Sequence, residues 1–600
     1  LYGQGGSGIK EEAKNNLNYF LSMSVLDWLV LCTTLCVIIV YGLYKSRSTK
    51  DLDGYFRSNR SMQWGLILLS IMGTQASAIT FLSAPGQAYT DGMRFVQYYF
   101  GLPFAMIVIA LFFVPVYHRL QVYTAYEYLE NRFDGKTRAL TSLLFLLQRG
   151  LSTGISVFAP SIILSSILGW GLTATSILMG GLLIIYTLSG GARAVAYTQQ
   201  LQWVIIFLGL GLAGWMVVKL LPVDIGFADA LFIGEKMGKM NVISSGFKKG
   251  SFDWSDQYNI WSGLIGGFFL ALSYFGTDQS QVGRYLTAQS IKQSQIGLLM
   301  NGLIKVPLQF LILLVGVLVF SFYQFNKAPL FFNTVPVEKL RSNTVYADSL
   351  RSVEFAFDQV AAKKQNVLAL YANEKRENVA GNKKQFLVDS LRQLHQQSDS
   401  LRRKVKSWID QTGPIGSSND TNYIFLRFVM DHLPHGLVGL LIAIIFLASW
   451  GSIAAAINSL AACTLVDFHK RYATAPLSEQ AAFKWSRGYT LLWGLFCIVV
   501  ALFTYNIGNS LIEAVNILGS LFYGVVLGIF LVALFFPAIK SGSIVFWSAL
   551  IAELFVIFIF YGSKTGFFKL AFLWLNPIGA GLVVILSLFA HLFSKRRFER

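Results

Sequence analysis

The chain has 600 residues, of which 54% are hydrophobic and only 13% charged, and its formal net charge is +18. Soluble domains carry about 25% charge, and a chain this long would split into domains with polar surfaces and linkers. An ordinary soluble enzyme and a disordered chain are therefore excluded, and a basic nucleic-acid face is too, because the positive charge sits mainly in short loops between apolar runs.

A bilayer crossing needs about 20 apolar residues. Thirteen candidate spans follow in chain order, at roughly 25–44, 64–84, 93–117, 138–168, 171–189, 194–219, 258–277, 295–323, 432–464, 488–507, 511–537, 543–561 and 571–593. Residues 1–24 precede them without an evident cleavable signal: the first apolar run is followed by basic residues and lacks a small-residue cleavage site. Basic residues cluster at 45–60, at 118–138, after the seventh span (Arg284, Lys292), after the ninth (Lys470, Arg471, Lys484, Arg487) and in the tail (Lys595, Arg596, Arg597, Arg600). These clusters alternate consistently and read as cytoplasmic, which puts the N-terminus outside and the C-terminus inside. Lys564 and Lys569 are a mild exception. The hydrophilic stretch 325–430 then lies outside, with two helical runs separated near Gly381. It is either a helical excursion without a transport role or a lid or docking segment for an extracytoplasmic partner.

Several spans carry polar residues that lipid-facing helices do not need. The second holds Gly73-Thr74-Gln75-Ala76-Ser77-Ala78-Ile79-Thr80, a composition that permits an unwound helix with free carbonyls able to coordinate a cation. The seventh holds Gly266-Gly267 and then Ser273-Tyr274-Phe275-Gly276-Thr277-Asp278-Gln279. Asp278 and Arg284 there either form a gate or mark a helix end, and Tyr274 is either a gating aromatic or an interfacial one. The ninth carries Ala448-Ser449-Trp450-Gly451-Ser452, whose hydroxyls either complete a sodium shell with the carbonyls of Gly73 and Ala76 or serve helix packing. Arg149, in the fourth span, costs about 2.5 kcal/mol or more at a helix centre. It therefore faces either an acidic solute, which a guanidinium grips bidentately, or a structural acid such as Glu513. Lys305 and Glu513 are further intramembrane charges that could join Arg149 in one network.

The four cysteines lie in apolar runs, and the six histidines form no ligand pair within a span. His432 and His435 flank Pro434 at a helix start, where capping is the simpler role. No zinc, nucleotide-binding or nucleophile motif is present, which argues against a metal-dependent enzyme and a self-contained ATP-driven pump. A receptor would need an output domain after the last span, and none follows it.

The spaced motifs Ser83-Ala84-Pro85-Gly86-Gln87-Ala88-Tyr89, Tyr126-Glu127-Tyr128-Leu129-Glu130-Asn131-Arg132-Phe133, Ser189-Gly190-Gly191-Ala192-Arg193-Ala194-Val195-Ala196-Tyr197-Thr198, Gly276-Thr277-Asp278-Gln279-Ser280-Gln281-Val282-Gly283-Arg284-Tyr285 and Ile457-Asn458-Ser459 running on to Val466-Asp467 resemble those of the sodium/solute symporter family. The nearest flavour is the iodide, multivitamin, monocarboxylate and sialic acid branches, in a bacterial form. The resemblance covers roughly 25–324 and 432–537. It implies an all-α membrane protein with a LeuT-like inverted five-helix repeat inside about 13 transmembrane helices.

The expected organisation has an extracytoplasmic segment 1–24, a first helix and cytoplasmic loop 25–63, and a first repeat 64–219. An outer loop follows at 220–257, then a second repeat 258–324 and 431–537 interrupted by the extracytoplasmic insertion 325–430. Two accessory helices and a cytoplasmic tail complete it at 538–600. The expected activity is alternating-access symport in a bacterial inner membrane, with no enzyme chemistry. Family sodium-site positions fall on Gly73, Ala76, Ala448, Gly451 and Ser452. The usual pattern has hydroxyl residues at the last two, so Gly451 removes one oxygen, which a water or Ser449 would have to replace. Gln199 stands after Thr198 where the pattern commonly has Asp, so a carboxylate of a further ion site is missing. At most one sodium is expected. The family's substrate region implies Gln75, Ser77, Thr80, Tyr99, Arg149, Ser152, Tyr274 and Glu513, and Arg149 looks like the arginine that holds a sialic acid carboxylate. A sugar acid, sialic acid-like solute or monocarboxylate is favoured; the alternative is proton-coupled or uncoupled transport of a neutral sugar, vitamin or amino acid.

Overall fold

The computed structural model describes residues 23–46, 60–377, 381–412, 418–473, 476–504, 510–567 and 569–598. The N-terminal segment before residue 23 and the basic residues Arg47, Lys50, Arg57 and Arg600 lie outside these. Apolar chain in lipid must satisfy its backbone internally, and helices do so within one segment. The described residues are accordingly helical apart from loops and one two-residue hairpin in which Phe247 pairs with Phe252.

The principal helices are α1 (Val25–Ser46), α2 (Trp64–Gln75), α3 (Ala78–Asp91), α4 (Gly135–Leu168), α5 (Leu172–Lys219), α6 (Gly267–Gly276), α7 (Gln279–Tyr285), α8 (Ile291–Phe325), α9 (Ala347–Glu377), α10 (Gly381–Thr412), α11 (Leu437–Cys463), α12 (Glu479–Thr504), α13 (Leu511–Phe535), α14 (Gly542–Lys564) and α15 (Leu575–Phe598). Among the described residues, ten helices are long and apolar enough to cross a membrane, and three shorter apolar ones stand at 64–75, 172–188 and 262–276. The sequence predicts thirteen spans of full bilayer length, so the difference lies at helix breaks and turns.

Two of those differences have physical causes. The apolar stretch from Ala78 to Leu120 is α3 followed by a 3-10 segment, Gly92–Tyr99, and then helix interrupted by a π turn at Ile109–Phe113. Gly92 sits at φ 76°, and a Cβ there would stand 2.7 Å from the Lys239 carbonyl oxygen, so only glycine makes this bend. α5 extends over 48 residues. Yet the Tyr186 and Thr198 hydroxyls meet at 2.9 Å. Twelve residues of straight helix span about 18 Å, beyond the reach of those side chains, so the axis folds back between them.

α11 is the central helix, buried along nearly its whole length. It is anchored to α1 through Asp27, whose carboxylate accepts the Gly436 and Gly439 amides at 2.5 and 3.2 Å and meets His435 Nδ1 at 3.1 Å. The helix start is thus held by Asp27 and not capped by the histidines: His435 meets that carboxylate, and His432 ends the preceding helix, Thr421–His432. Its other end is held by Asp467, which is fully buried and accepts from Arg138 at 2.6 Å, Thr124 at 2.7 Å and Ser142 at 2.9 Å. Glu130 completes this network on Arg138 at 2.7 Å, which explains why two of the sequence motifs contain these acids.

The insertion forms the expected pair of long helices, α9 and α10. They pack on each other and on the body. Leu368 and Leu391 share a core cluster with Ile233, the Tyr371 and Phe232 rings stack, and Arg392 donates to the Lys236 carbonyl at 2.7 Å.

Candidate functional site

Both predicted helix breaks are present, and their chemistry differs. The first separates α2 from α3: Ala76 and Ser77 are extended (φ −80°, ψ 103° and φ −104°, ψ 177°). The Ala76 amide still reaches the Met72 carbonyl at 2.7 Å, and the Thr80 amide turns onto the Ser77 carbonyl at 3.0 Å. No backbone amide among the described residues reaches the carbonyl oxygens of Gly73 and Ala76 across the break. The second separates α6 from α7 at Thr277–Asp278. There the carbonyls of Phe275, Gly276 and Thr277 accept from the hydroxyls of Tyr285 at 3.1 Å, Tyr117 at 2.7 Å and Tyr126 at 3.0 Å. Three tyrosines therefore seal the second break, while the first leaves backbone oxygens open in the interior. Buried carbonyls are rarely left so.

A cavity of about 990 Å³, counting its mouth, lies between the broken helices. Of the predicted solute residues, Gln75, Ser77, Thr80, Tyr99, Arg149, Ser152 and Tyr274 line it, and so does Ser452 of the predicted sodium set. Gln75 Oε1, Gln148 Oε1 and Arg149 Nε are buried there without a hydrogen-bond partner. Unpartnered polar atoms on an enclosed wall are what a polar solute would satisfy.

Glu513 does not line the cavity. It lies on α13 among residues that do, but its carboxylate is bonded to Gln257 in the loop before α6. The pairing of Arg149 with Glu513 is therefore corrected. The acid beside Arg149 is Asp278, whose Oδ2 is 3.9 Å from Nη1. Asp278 is already engaged: Oδ1 accepts the Ser280 amide and hydroxyl at 2.8 and 2.6 Å, and Oδ2 accepts the Tyr523 hydroxyl at 2.8 Å. A bidentate arginine pair has contacts of about 2.7–2.9 Å, so Asp278 is a neighbouring countercharge; the guanidinium is also bonded to the Tyr274 hydroxyl, and its Nε is left without a partner. The Tyr274 ring lies 5.6 Å beneath it, with its hydroxyl fixed by Gln281 at 2.7 Å.

The gate between Asp278 and Arg284 is not formed; Asp278 caps α7, and Arg284 donates to the Ser280 carbonyl at 3.4 Å. The three-charge network is not formed either, since Lys305 stacks behind Tyr99 at 5.6 Å. Residues the sequence reading missed, including Tyr98, Asn516 and Tyr523, come from elements far apart in the chain. Tyr98 donates to Asn516 Oδ1 at 3.0 Å across the cavity wall.

Of the predicted sodium set, Gly73 and Ala76 sit at the open break, and Ala448, Gly451 and Ser452 on the buried face of α11. The Ser452 hydroxyl donates to the Ser449 carbonyl at 3.1 Å, which keeps its lone pairs available. The Ser449 hydroxyl is buried and unpartnered. Sodium accepts neutral oxygens of this kind, and the donors present fit it, although Gly451 offers none from a side chain. Gln199 fills the space between the two glycines. Its Oε1 accepts from Ser70 at 3.0 Å, and its Nε2 donates to the Gly451 carbonyl at 3.3 Å. A Cβ on Gly73 would meet Gln199 at 2.9 Å, and one on Gly451 would meet Gln202 Oε1 at 2.9 Å. Among the described residues no group of three or more His, Cys, Asp or Glu is placed to hold a metal ion.

Comparison with known proteins follows the same direction. The family model described as Sodium:solute symporter family matches residues 55–353. The chain is 25% identical to sodium-coupled monocarboxylate transporter 1 of Xenopus laevis over 531 residues, covering 87% of this chain and 69% of that one. It is 24% identical to the sodium/sialic acid symporter SiaT of Proteus mirabilis, with 93% of each chain covered. In fold it is similar to a solved substrate-bound, outward-open Na+-coupled sialic acid symporter, with a TM-score of 0.72, 21% identity, and coverage of 95% of this chain and 98% of that one.

Proposed function

The chain belongs to the sodium:solute symporter family and is a multi-pass secondary active transporter that couples a small organic solute to sodium, and on that premise we infer that the solute is a small organic acid held through its carboxylate by Arg149. The observation that carries this is the guanidinium itself: buried on the cavity wall, with Nε unpartnered and Nη1 no closer than 3.9 Å to its acid neighbour. Monocarboxylate and sialic acid carriers among the relatives fit the same chemistry. Gln75, Ser77, Thr80, Tyr99, Ser152 and Tyr274 surround the rest of the solute, and Gln148, Asn516 and Tyr523 join them.

One sodium is bound per cycle, by the open carbonyls of Gly73 and Ala76 with Ala448 and the Ser452 hydroxyl. When bound, sodium supplies positive charge that ties the broken helix to α11. That stabilises the solute-competent arrangement, so the coupling is a shared free energy between two sites. The proposed architecture is an inverted five-helix repeat, with α2 and α3 opening the first repeat and α6 and α7 the second. It lies within thirteen crossings of a bacterial inner membrane, N-terminus outside and C-terminus inside. The insertion then lies outside, covering the body.

A neutral solute is the second reading, and the Asp278 carboxylate beside Arg149 is what favours it. Matched pairs of acids and their amides or alcohols, compared by thermal shift at fixed sodium, separate the two. A ligand that binds the folded form raises the transition. Stabilisation by acids alone, lost in Arg149→Ala, supports the acid reading; stabilisation by the neutral partner of each pair overturns it.

A further inference from the structure

A second recess, of about 400 Å³ counting its mouth, lies where α9 and α10 meet the ends of α3 and α8. It is far narrower than the solute cavity, and no residue of the proposed transport machinery lines it. Its walls carry Lys364 from α9, His395, Asp399 and Arg402 from α10, and Tyr323 and Gln324 from α8. Tyr89, the last residue of the first sequence motif, brings α3 to the same recess.

The charges do not balance. Lys364 is more than nine-tenths buried, and Asp399, the carboxylate that acts on it, does so from beyond ion-pair distance. Arg402 is tied to the Pro329 carbonyl at 2.8 Å and lies between the Phe332 and Phe357 rings, with Nε unpartnered. The other lysine of the recess, Lys327, is neutralised by Asp358 at 2.7 Å. Asp399 is the only carboxylate lining it, and His395 lies 3.4 Å from that acid. Tyr323 Oη is a further buried and unpartnered polar atom on the wall. Inside the recess Lys364 and Arg402 thus face Asp399; Asp420, itself paired with Lys406 at 2.9 Å, and the Tyr89 hydroxyl act on Arg402 as well, which leaves one positive charge in excess. A buried charge persists only when paired, and a narrow recess with free donors, one surplus positive charge and aromatic walls is the complement of one small anion.

We propose that this recess binds a small monovalent anion, either a halide or a compact carboxylate such as formate, which pairs with Lys364 and Arg402 and fastens the insertion to the end of α3. The titration of the site agrees. Burial, reinforced by Arg402 and opposed by Asp399, pushes Lys364 down to about 8. Burial also holds His395 down to about 4, with Lys364, Lys239 and Arg402 acting against the pull of Asp399. Both shifts come first from burial, and the neighbouring cations add to it. The anion would couple the insertion to the half-helix whose other end lies at the solute cavity.

The test uses the full-length purified transporter in detergent at constant sodium, with chloride, formate or gluconate as the counter-ion. Gluconate, a bulky and strongly hydrated carboxylate, is the weakly binding reference. A saturable upward shift of the unfolding midpoint is expected with chloride or formate over gluconate. Lys364→Met should abolish that shift while raising the midpoint in gluconate, because a buried unpaired charge is gone. Asp399→Asn, at a partly exposed position, should produce the same shift at lower anion concentration. A shift with chloride alone assigns the site to a halide, and one with formate alone to a carboxylate. No difference between counter-ions in the native protein, or an equal shift in native protein and Lys364→Met, overturns the proposal.

Discussion

Gly73 and Gln199 provide the sharpest energetic test of the ion-site geometry. A methyl group at position 73 would stand 2.9 Å from Gln199 Cγ and Cδ and 3.1 Å from its Cβ. The amide cannot swing away freely, because Ser70 holds one end and the Gly451 carbonyl the other. Gly73→Ala should therefore cost about 1–3 kcal/mol, the usual range for overpacking a tight interior. Gln199→Ala removes Cγ and Cδ, the closest obstacles, keeps the Cβ 3.1 Å away, and leaves its two partners unsatisfied, at about 1–3 kcal/mol of its own. In the double variant the steric term shrinks to that one contact, so the cycle should show a coupling of about 0.5–2 kcal/mol that favours the pair. Denaturant titration in mixed micelles, with all four proteins under one condition, measures it. If Gly73→Ala costs the same in both backgrounds, Gln199 does not occupy the space between α2 and α11, and the derived ion site is wrong.

Other consequences are equally direct. Arg149→Lys keeps the charge but loses the planar fork; each charge-assisted hydrogen bond lost costs about 1.5–3 kcal/mol, so acid affinity should fall about 10- to 150-fold in a binding isotherm while the unfolding midpoint stays put. Asp467→Ala leaves Arg138 with Glu130 and the more distant Glu127 and should destabilise by about 3–5 kcal/mol, seen as early unfolding in the same titration. The anion effect should fade as pH rises through about 8, where Lys364 loses its proton with Arg402, Asp399, His395 and Lys239 as its charged surroundings. Over the same interval, up to the ordinary lysine range, the unfolded chain holds one more proton than the folded one at this residue. Lys364 should therefore add stability as pH rises through that window, and Lys364→Met should remove this slope.

The parts legible in the sequence were local. Thr, Gln and Ser inside an apolar run marked the first break, because lipid tolerates such side chains only against protein or water. A lone arginine between apolar flanks marked the cavity wall for the same reason. Pairings between distant elements were not legible. Arg149 and Asp278 lie 129 positions apart, so the sequence offers Glu513 as the structural acid for Arg149, whereas in the fold Gln257 holds Glu513 and Asp278 stands beside the arginine. The sealing of the second break by Tyr117, Tyr126 and Tyr285 was hidden too, since nothing local distinguishes a tyrosine that caps a carbonyl from one at a membrane surface. Gln199 was noticed only as an unexpected amide; its role between Gly73 and Gly451 needed three helices in place.

Uptake into proteoliposomes bears most directly on sodium-driven transport of an acid through this cavity. With a stabilising acid as labelled solute, an inward sodium gradient should drive accumulation above the outside concentration, and dissipating the gradient should release it. Uptake that is indifferent to the sodium gradient, or accumulation that persists unchanged in Arg149→Ala, would contradict the account.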